Sequence, residues 1–180
     1  MKETKQIPMH TCVAMWLKTI GEDKPGQPQL MDVELKKLYT DITKEETNEL
    51  YSAIAANDLT EICDGLFDSL WTITQLAMMH GININDLTRA GYISNMSKFC
   101  KTSEEAQATV GAYTTGTHPN KLGVCIATDY EQVGDLYVVR RKSDGKVMKS
   151  INFKEPDFSF ITKRRTDVEE ETLEGTNTER

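Results

Sequence analysis

The chain has 180 residues, 38% of them hydrophobic, with 21 Lys and Arg against 28 Asp and Glu and a formal charge of −7. This supports one compact domain plus an appendage, contains no apolar run near the ~20 residues of a membrane span, and disfavours nucleic acid, whose binding concentrates positive charge on one face. The opening Met1-Lys-Glu-Thr-Lys-Gln lacks a signal peptide's apolar stretch, and Cys12, Cys63, Cys100 and Cys125 show no C-x-x-C spacing, so reduced thiols and a cytoplasmic location are expected, with neither disulfide framework nor zinc site.

Residues 8–20 read as a helix with Met9, Val13, Trp16, Leu17 and Ile20 on one side. The Gly- and Pro-rich stretch after Gly21 is a loop. A second helix is expected over residues 32–56, broken at Asn57-Asp58, and Asp58-x-x-Glu61 has the form of a capping box opening a third. That helix runs to His80 and stops at Gly81. A fourth follows Asn85 and runs past Tyr92 toward Lys98, and Thr102-x-x-Glu105 opens a short fifth ending near Tyr113. Beyond Thr114 the composition is that of a linker, followed by β-rich runs at 125–129, 136–141 and 146–151. Ser143-Asp144-Gly145 between the last two is a hairpin signal. The expected architecture is an all-α bundle over residues 1–113, a linker and small antiparallel β appendage over 114–165, and a polar, disordered tail over 166–180.

The stretch 45–88 holds eight carboxylates (Glu45, Glu46, Glu49, Asp58, Glu61, Asp64, Asp68 and Asp86) and no Lys or Arg, whereas surface helices ordinarily intersperse the two signs. On the second helix, Leu35, Leu38, Tyr39, Ile42, Leu50 and Ala53 define the apolar stripe. Steps of about 100° per residue put Glu46 and Glu49 inside that stripe and Glu45 at its margin, so the first two are expected to face the bundle interior. The third helix is apolar on two nearly opposite faces, a pattern expected of a buried helix. Glu61, Asp64 and Asp68 form one row along it at i, i+3 and i+7. Burying an unpaired carboxylate costs several kcal/mol, so these acids either take up protons or hold a cation. All-oxygen ligands suit Mg²⁺ or Mn²⁺ rather than zinc, and magnesium shared with phosphates points to phosphoryl or nucleotidyl chemistry. Read alone, each acid also fits a helix cap or a solvated face.

Glu46-Thr-Asn-Glu49 followed by Glu61-Ile-Cys-Asp64 resembles the E-x-x-E … E-x-x-D signature of the all-α nucleotide pyrophosphohydrolases. Lys44-Glu-Glu-Thr-Asn-Glu-Leu50 is similar to their E-E-x-x-E-L helix, and Ser94-Asn-Met-Ser-Lys98 to a later motif of phage and bacterial MazG-like relatives. The hairpin ending Lys142-Ser-Asp-Gly-Lys146, with Phe153-Lys-Glu-Pro-Asp157 after it, resembles the C-terminal extension of some of them. Where many relatives carry an Arg before the paired glutamates, this chain has Tyr39.

The resemblance implies a homodimer or homotetramer in which Glu46, Glu49, Glu61 and Asp64 bind Mg²⁺, with Glu45 as a further ligand; Asp68, which extends the acidic row, is a candidate for the metal or for a water beside it. It implies hydrolysis of a (deoxy)nucleoside triphosphate to its monophosphate and pyrophosphate, Glu46 or Glu49 orienting the water. It also places Lys98 on phosphate and Asn95 on sugar or phosphate. A narrower dUTP or dCTP pyrophosphatase, and a non-catalytic helical module with an acidic groove, are the alternatives. Trp16 and Trp71 are expected in the core rather than on a base, Met78-Met79 as gap fillers, and His80 on helix-end carbonyls. His10 and His118 receive no role.

Overall fold

In the computed structural model, which describes residues 7–162, six α-helices and one antiparallel β-hairpin succeed one another along the described residues. Packing divides the chain into two units, Met1–Leu87 with Phe158–Arg180, and Thr88–Asp157. No helix among the described residues is long and apolar enough to cross a membrane.

The first unit is built on α1 (Met9–Thr19), α2 (Val33–Ala56) and α3 (Leu59–Met79). Asp32 starts α2 by accepting from the Leu35 amide at 2.8 Å. The helix stops because Asn57 turns left-handed, φ 56°, a conformation that Asn tolerates better than most residues. Asp58 then accepts from the Thr60 and Glu61 amides at 3.0 and 3.3 Å and starts α3. The result is an αα-hairpin with a two-residue turn, as the sequence indicates. Its helices meet closely at Gly65, where an added Cβ would lie 2.9 Å from the Leu50 Cα.

Val13, Leu17, Met31, Tyr39, Met78 and Met79 form the core of this unit, with the two methionines filling it as expected. Three supports hold the loop between α1 and α2: the Tyr39 hydroxyl donates to Glu22, the Gln29 amide donates to the His80 carbonyl at 2.9 Å, and Gly81 passes the Gln27 carbonyl. A Cβ at Gly81 would lie 2.2 Å from that oxygen. His80 donates its Nδ1–H to the Leu76 carbonyl at 2.8 Å, the helix-end role expected of it. A short helix, α6 (Ser159–Thr162), adds the buried Ile161 to this unit. Trp71 is half-buried and meets Trp16 edge-on at 6.3 Å, but Trp16 stays 42% exposed, so only one of the pair is a core residue.

The expectation that α3 is buried on both faces is corrected. Its buried side is Gly65, Ser69, Thr72, Gln75, Met78 and Met79, whereas Leu66, Phe67, Leu70 and Ile73 are 47–53% exposed. Gly65 lets α2 approach closely on one side; among the described residues, nothing buries the large apolar ones on the other.

α4 (Ile84–Met96) starts on Asn83, whose Oδ1 accepts from the Asn85 and Asp86 amides at 2.9 and 3.3 Å. The boundary between the two units falls within this helix. α5 (Ser103–Thr115) packs on the strands β1 (Thr128–Val133) and β2 (Leu136–Arg141). Helix and hairpin thereby share one core of Cys100, Ala106, Tyr113, Val139 and Met148. Thr102 caps α5 through the Glu105 amide, and the Glu105 carboxylate returns to the Lys101 amide at 2.8 Å.

Two sequence expectations fail in this second unit. The tight hairpin turn is Gly134-Asp135, with Gly134 at φ 60° and Val133 opposite Leu136. Ser143-Asp144-Gly145 makes a turn too, held by the Arg141 guanidinium on Asp144. The 146–151 run behind it bridges β2 at Arg140↔Val147 and shares a core with it through Met148, but forms no strand. Its backbone is engaged by side chains instead: the Lys149 carbonyl accepts from Tyr113 and His118. The expected linker after Thr114 contains His118, which is fully buried beside a single 3-10 turn, Pro119–Lys121. The tail expected over 166–180 lies outside the described residues.

Candidate functional site

α2 carries Glu45, Glu46 and Glu49, and α3 carries Glu61, Asp64 and Asp68. Glu46 and Asp68 are half-buried, and the other four are exposed. The expected inward placement thus holds in part for Glu46 and fails for Glu49. The reason lies in the contact at Gly65: Glu46 is one turn before Leu50 on α2 and Asp68 one turn after Gly65 on α3, so the close approach of Leu50 to Gly65 screens these two and not their neighbours.

The acids act on one another. Burial pushes the Glu46 carboxyl above its ordinary value, and the negative charges of Asp68, Glu49, Glu45 and Asp64 push it further, in that order. Glu61 is not among those charges; it lies in the first turn of α3, its amide held by Asp58. Among the described residues, none of the six makes an ion pair. The buried Ser69 hydroxyl next to Asp68 has no hydrogen-bond partner. Six oxygen-bearing side chains with unneutralised charge match the donor chemistry of a hard divalent cation. In their present rotamers no three of the described His, Cys, Asp or Glu side chains gather around one metal position.

Asn95 and Lys98 belong to the second unit. Asn95 is exposed near the end of α4, and the Lys98 ammonium donates to its Oδ1 at 2.6 Å. The serines between and before them do something that the sequence does not reveal. Ser94 donates to the Lys154 carbonyl at 2.9 Å, and Ser97 accepts from the Lys154 amide at 2.9 Å. The Ser97 carbonyl accepts from Ser150 at 3.0 Å. Two of the five residues of the Ser94-Asn-Met-Ser-Lys98 run thus fasten a distant irregular segment. His118 was also invisible as a functional element of the fold: its Nδ1 accepts from the Asn120 amide at 3.2 Å and its Nε2 donates to the Lys149 carbonyl at 3.0 Å. Nothing local in the sequence pairs residues 31 positions apart.

Comparison with known proteins bears on the first of these groups. Residues 13–90 match the family described as phosphoribosyl-ATP pyrophosphohydrolase. An uncharacterized protein of Acanthamoeba polyphaga mimivirus is 28% identical over 128 residues, covering 71% of this chain and 50% of that protein. The chain spans about half the length of this relative. The matched segment contains the later part of α1, the whole α2–α3 hairpin and all six acids. Over residues 13–90 the chain is thus similar to a family of the MazG-like, all-α nucleotide pyrophosphohydrolase superfamily.

Proposed function

We propose that the chain is a Mg²⁺-dependent nucleotide pyrophosphohydrolase, with Mn²⁺ as a substitute, that converts a (deoxy)nucleoside triphosphate and water to the monophosphate and pyrophosphate. The observation that carries this reading is the set of six carboxylates on the α2–α3 hairpin with no cation from the described chain to balance them. Glu46, Glu49, Glu61 and Asp64 would hold the metal, with Glu45 and Asp68 as further oxygen donors after rotamer changes. When bound, Mg²⁺ neutralises phosphate charge and polarises the phosphorus centre.

The side chains supply the rest. Glu46 is one candidate for orienting the attacking water as its base. Glu49 is the other candidate for orienting that water. Lys98 offers a point charge to phosphate and Asn95 an amide to sugar or phosphate; their mutual hydrogen bond keeps the ammonium in place without neutralising it. The uncovered α3 row of Leu66, Phe67, Leu70 and Ile73 supports assembly into a homodimer or homotetramer, a second copy covering this face.

The direct test is pyrophosphate release from a panel of dNTPs and NTPs, with Mg²⁺ or EDTA, for the wild type and Glu49→Gln. Metal-dependent release that the variant loses is the expected result, and the panel ranks dUTP and dCTP against the others. Absence of release from every triphosphate under Mg²⁺ sinks the proposal.

A further inference from the structure

The second unit contains a cleft of about 520 Å³ that no part of the proposed hydrolytic chemistry uses. Its volume is that of a small-ligand site. One wall is the exposed side of α4, where Tyr92, Ile93 and Met96 are 64, 58 and 37% exposed; Phe99 continues it. Lys101, Glu105, Asn152 and Lys154 also line it.

Charge and rigidity distinguish this cleft from an ordinary surface groove. On the hairpin and the segment behind it, most basic groups are paired, Arg140 with Glu131, Arg141 with Asp144, Lys142 with Asp129 and Lys149 with Glu155, while Lys146 lies outside the cleft. Among the described residues, neither Lys101 nor Lys154 has an ion-pair partner, and both line the cleft. Glu105 is spoken for: its Oε1 accepts from the Asn152 side-chain amide at 3.0 Å and its Oε2 from the Lys101 backbone amide at 2.8 Å. The irregular segment that presents Asn152 and Lys154 is fastened from outside by the end of α4 and by α5, and within itself by Ser150. Ser94 and Ser97 hold the Lys154 backbone, Thr109 accepts from the Ile151 amide at 3.2 Å, and Ser150 accepts from the Asn152 amide at 3.1 Å. A segment without regular structure that is held this firmly presents its side chains at low entropic cost to a ligand.

We propose that this cleft binds a nucleoside monophosphate. The base lies on the aromatic and aliphatic wall of Tyr92, Phe99 and Met96, and the phosphate takes the Lys101 and Lys154 ammoniums. The Asn152 Oδ1 and the remaining Glu105 lone pairs accept from an exocyclic amino group. Two ammoniums match the charge of one monophosphate, close to −2 at neutral pH. Binding does not depend on the acids of α2 and α3; only its sense, return of the product to the enzyme, rests on the hydrolytic reading.

The test is calorimetric titration of the full chain in EDTA with the four ribonucleoside 5′-monophosphates, their nucleosides and inorganic phosphate. At least one monophosphate is expected to bind saturably, with its nucleoside and inorganic phosphate each weaker by about tenfold or more. Lys101→Ala with Lys154→Ala is expected to weaken it by a similar factor, while Glu61→Gln with Asp64→Asn leaves it unchanged. Both lysines are exposed, and an unchanged melting curve certifies the fold of the double variant. Failure of every monophosphate to bind, or binding that survives loss of both lysines, overturns the proposal. Loss on changing Glu61 and Asp64 assigns the binding to the acids instead and overturns it equally. Because EDTA removes turnover, a negative hydrolysis assay leaves this outcome independent.

Discussion

The His118 imidazole lies flat on the Tyr113 ring, centroids 3.9 Å apart and planes 9° from parallel, and both side chains donate to the same Lys149 carbonyl. The Nδ1 accepts from an amide, so the neutral imidazole is the only form this site accommodates. Burial pushes its pKa below the ordinary 6.5. Between 6.5 and that lower value the unfolded chain binds a proton that the folded chain refuses, so stability falls as pH drops through this window. Urea unfolding at stepped pH is expected to show the fall, and His118→Phe to remove it. The variant keeps the ring stack but loses both hydrogen bonds, which costs about 1–3 kcal/mol at neutral pH.

Glu46 follows the opposite sign. Its raised carboxyl pKa means that its ionisation destabilises the metal-free fold, an effect absent at low pH and growing as pH rises through the folded value. In EDTA at neutral pH, Glu46→Gln is expected to melt higher than the wild type. In Mg²⁺ the order reverses, since a metal at a hundredfold excess over its Kd stabilises by about 2.7 kcal/mol and the variant lacks a ligand. Melting curves in both buffers check this, and an unshifted wild type in Mg²⁺ removes the metal site.

Gly65 sets the distance between the two acid-bearing helices. Gly65→Ala places a Cβ 2.9 Å from the Leu50 Cα and 3.1 Å from its amide nitrogen. Backbone atoms cannot swing aside as a side-chain tip does, so the helices must part at a cost of about 1–3 kcal/mol. The expected readouts are a lower melting temperature and a fall in pyrophosphate release larger than lost folding explains.

Leu70, 53% exposed on the uncovered row of α3, reports on assembly. Leu70→Glu is expected to halve or quarter the solution mass by light scattering, because burying a charge against apolar neighbours is prohibitive. A wild type that already runs at monomer mass refutes the second-copy reading.

Tyr39 is buried, and its hydroxyl pKa is raised by burial and by its bond to Glu22. Tyr39→Phe is expected to cost about 1 kcal/mol and to increase hydrogen exchange in the loop between α1 and α2 that Glu22 anchors.

The helix ends were the most legible feature. Asp32, Asp58 and Thr102 each accept from amides two or three residues ahead, and such bonds need no information from elsewhere in the chain. The Glu and Asp spacing on α2 and α3 was legible for the same reason, since 3.6 residues per turn decides which side chains share a face. That the chain is all-α with a small hairpin follows from these local periods.

Which face is buried is a different matter. Periodicity shows that Leu66, Phe67, Leu70 and Ile73 are apolar, but whether another surface lies against them depends on the partner elements. Here Gly65 took the close contact with α2, and Ser69 and Thr72 are buried instead of the large apolar residues, because small side chains permit closer packing than large ones. The same holds for the 146–151 run. Its composition favours a strand, yet its carbonyls and amides are claimed by Tyr113, His118 and Thr109 from distant positions. By itself the sequence determined where helices begin and end and which residue types share their faces. Only the tertiary structure decided which of those faces meet, since that choice balances long-range packing against hydrogen bonds that no local window contains.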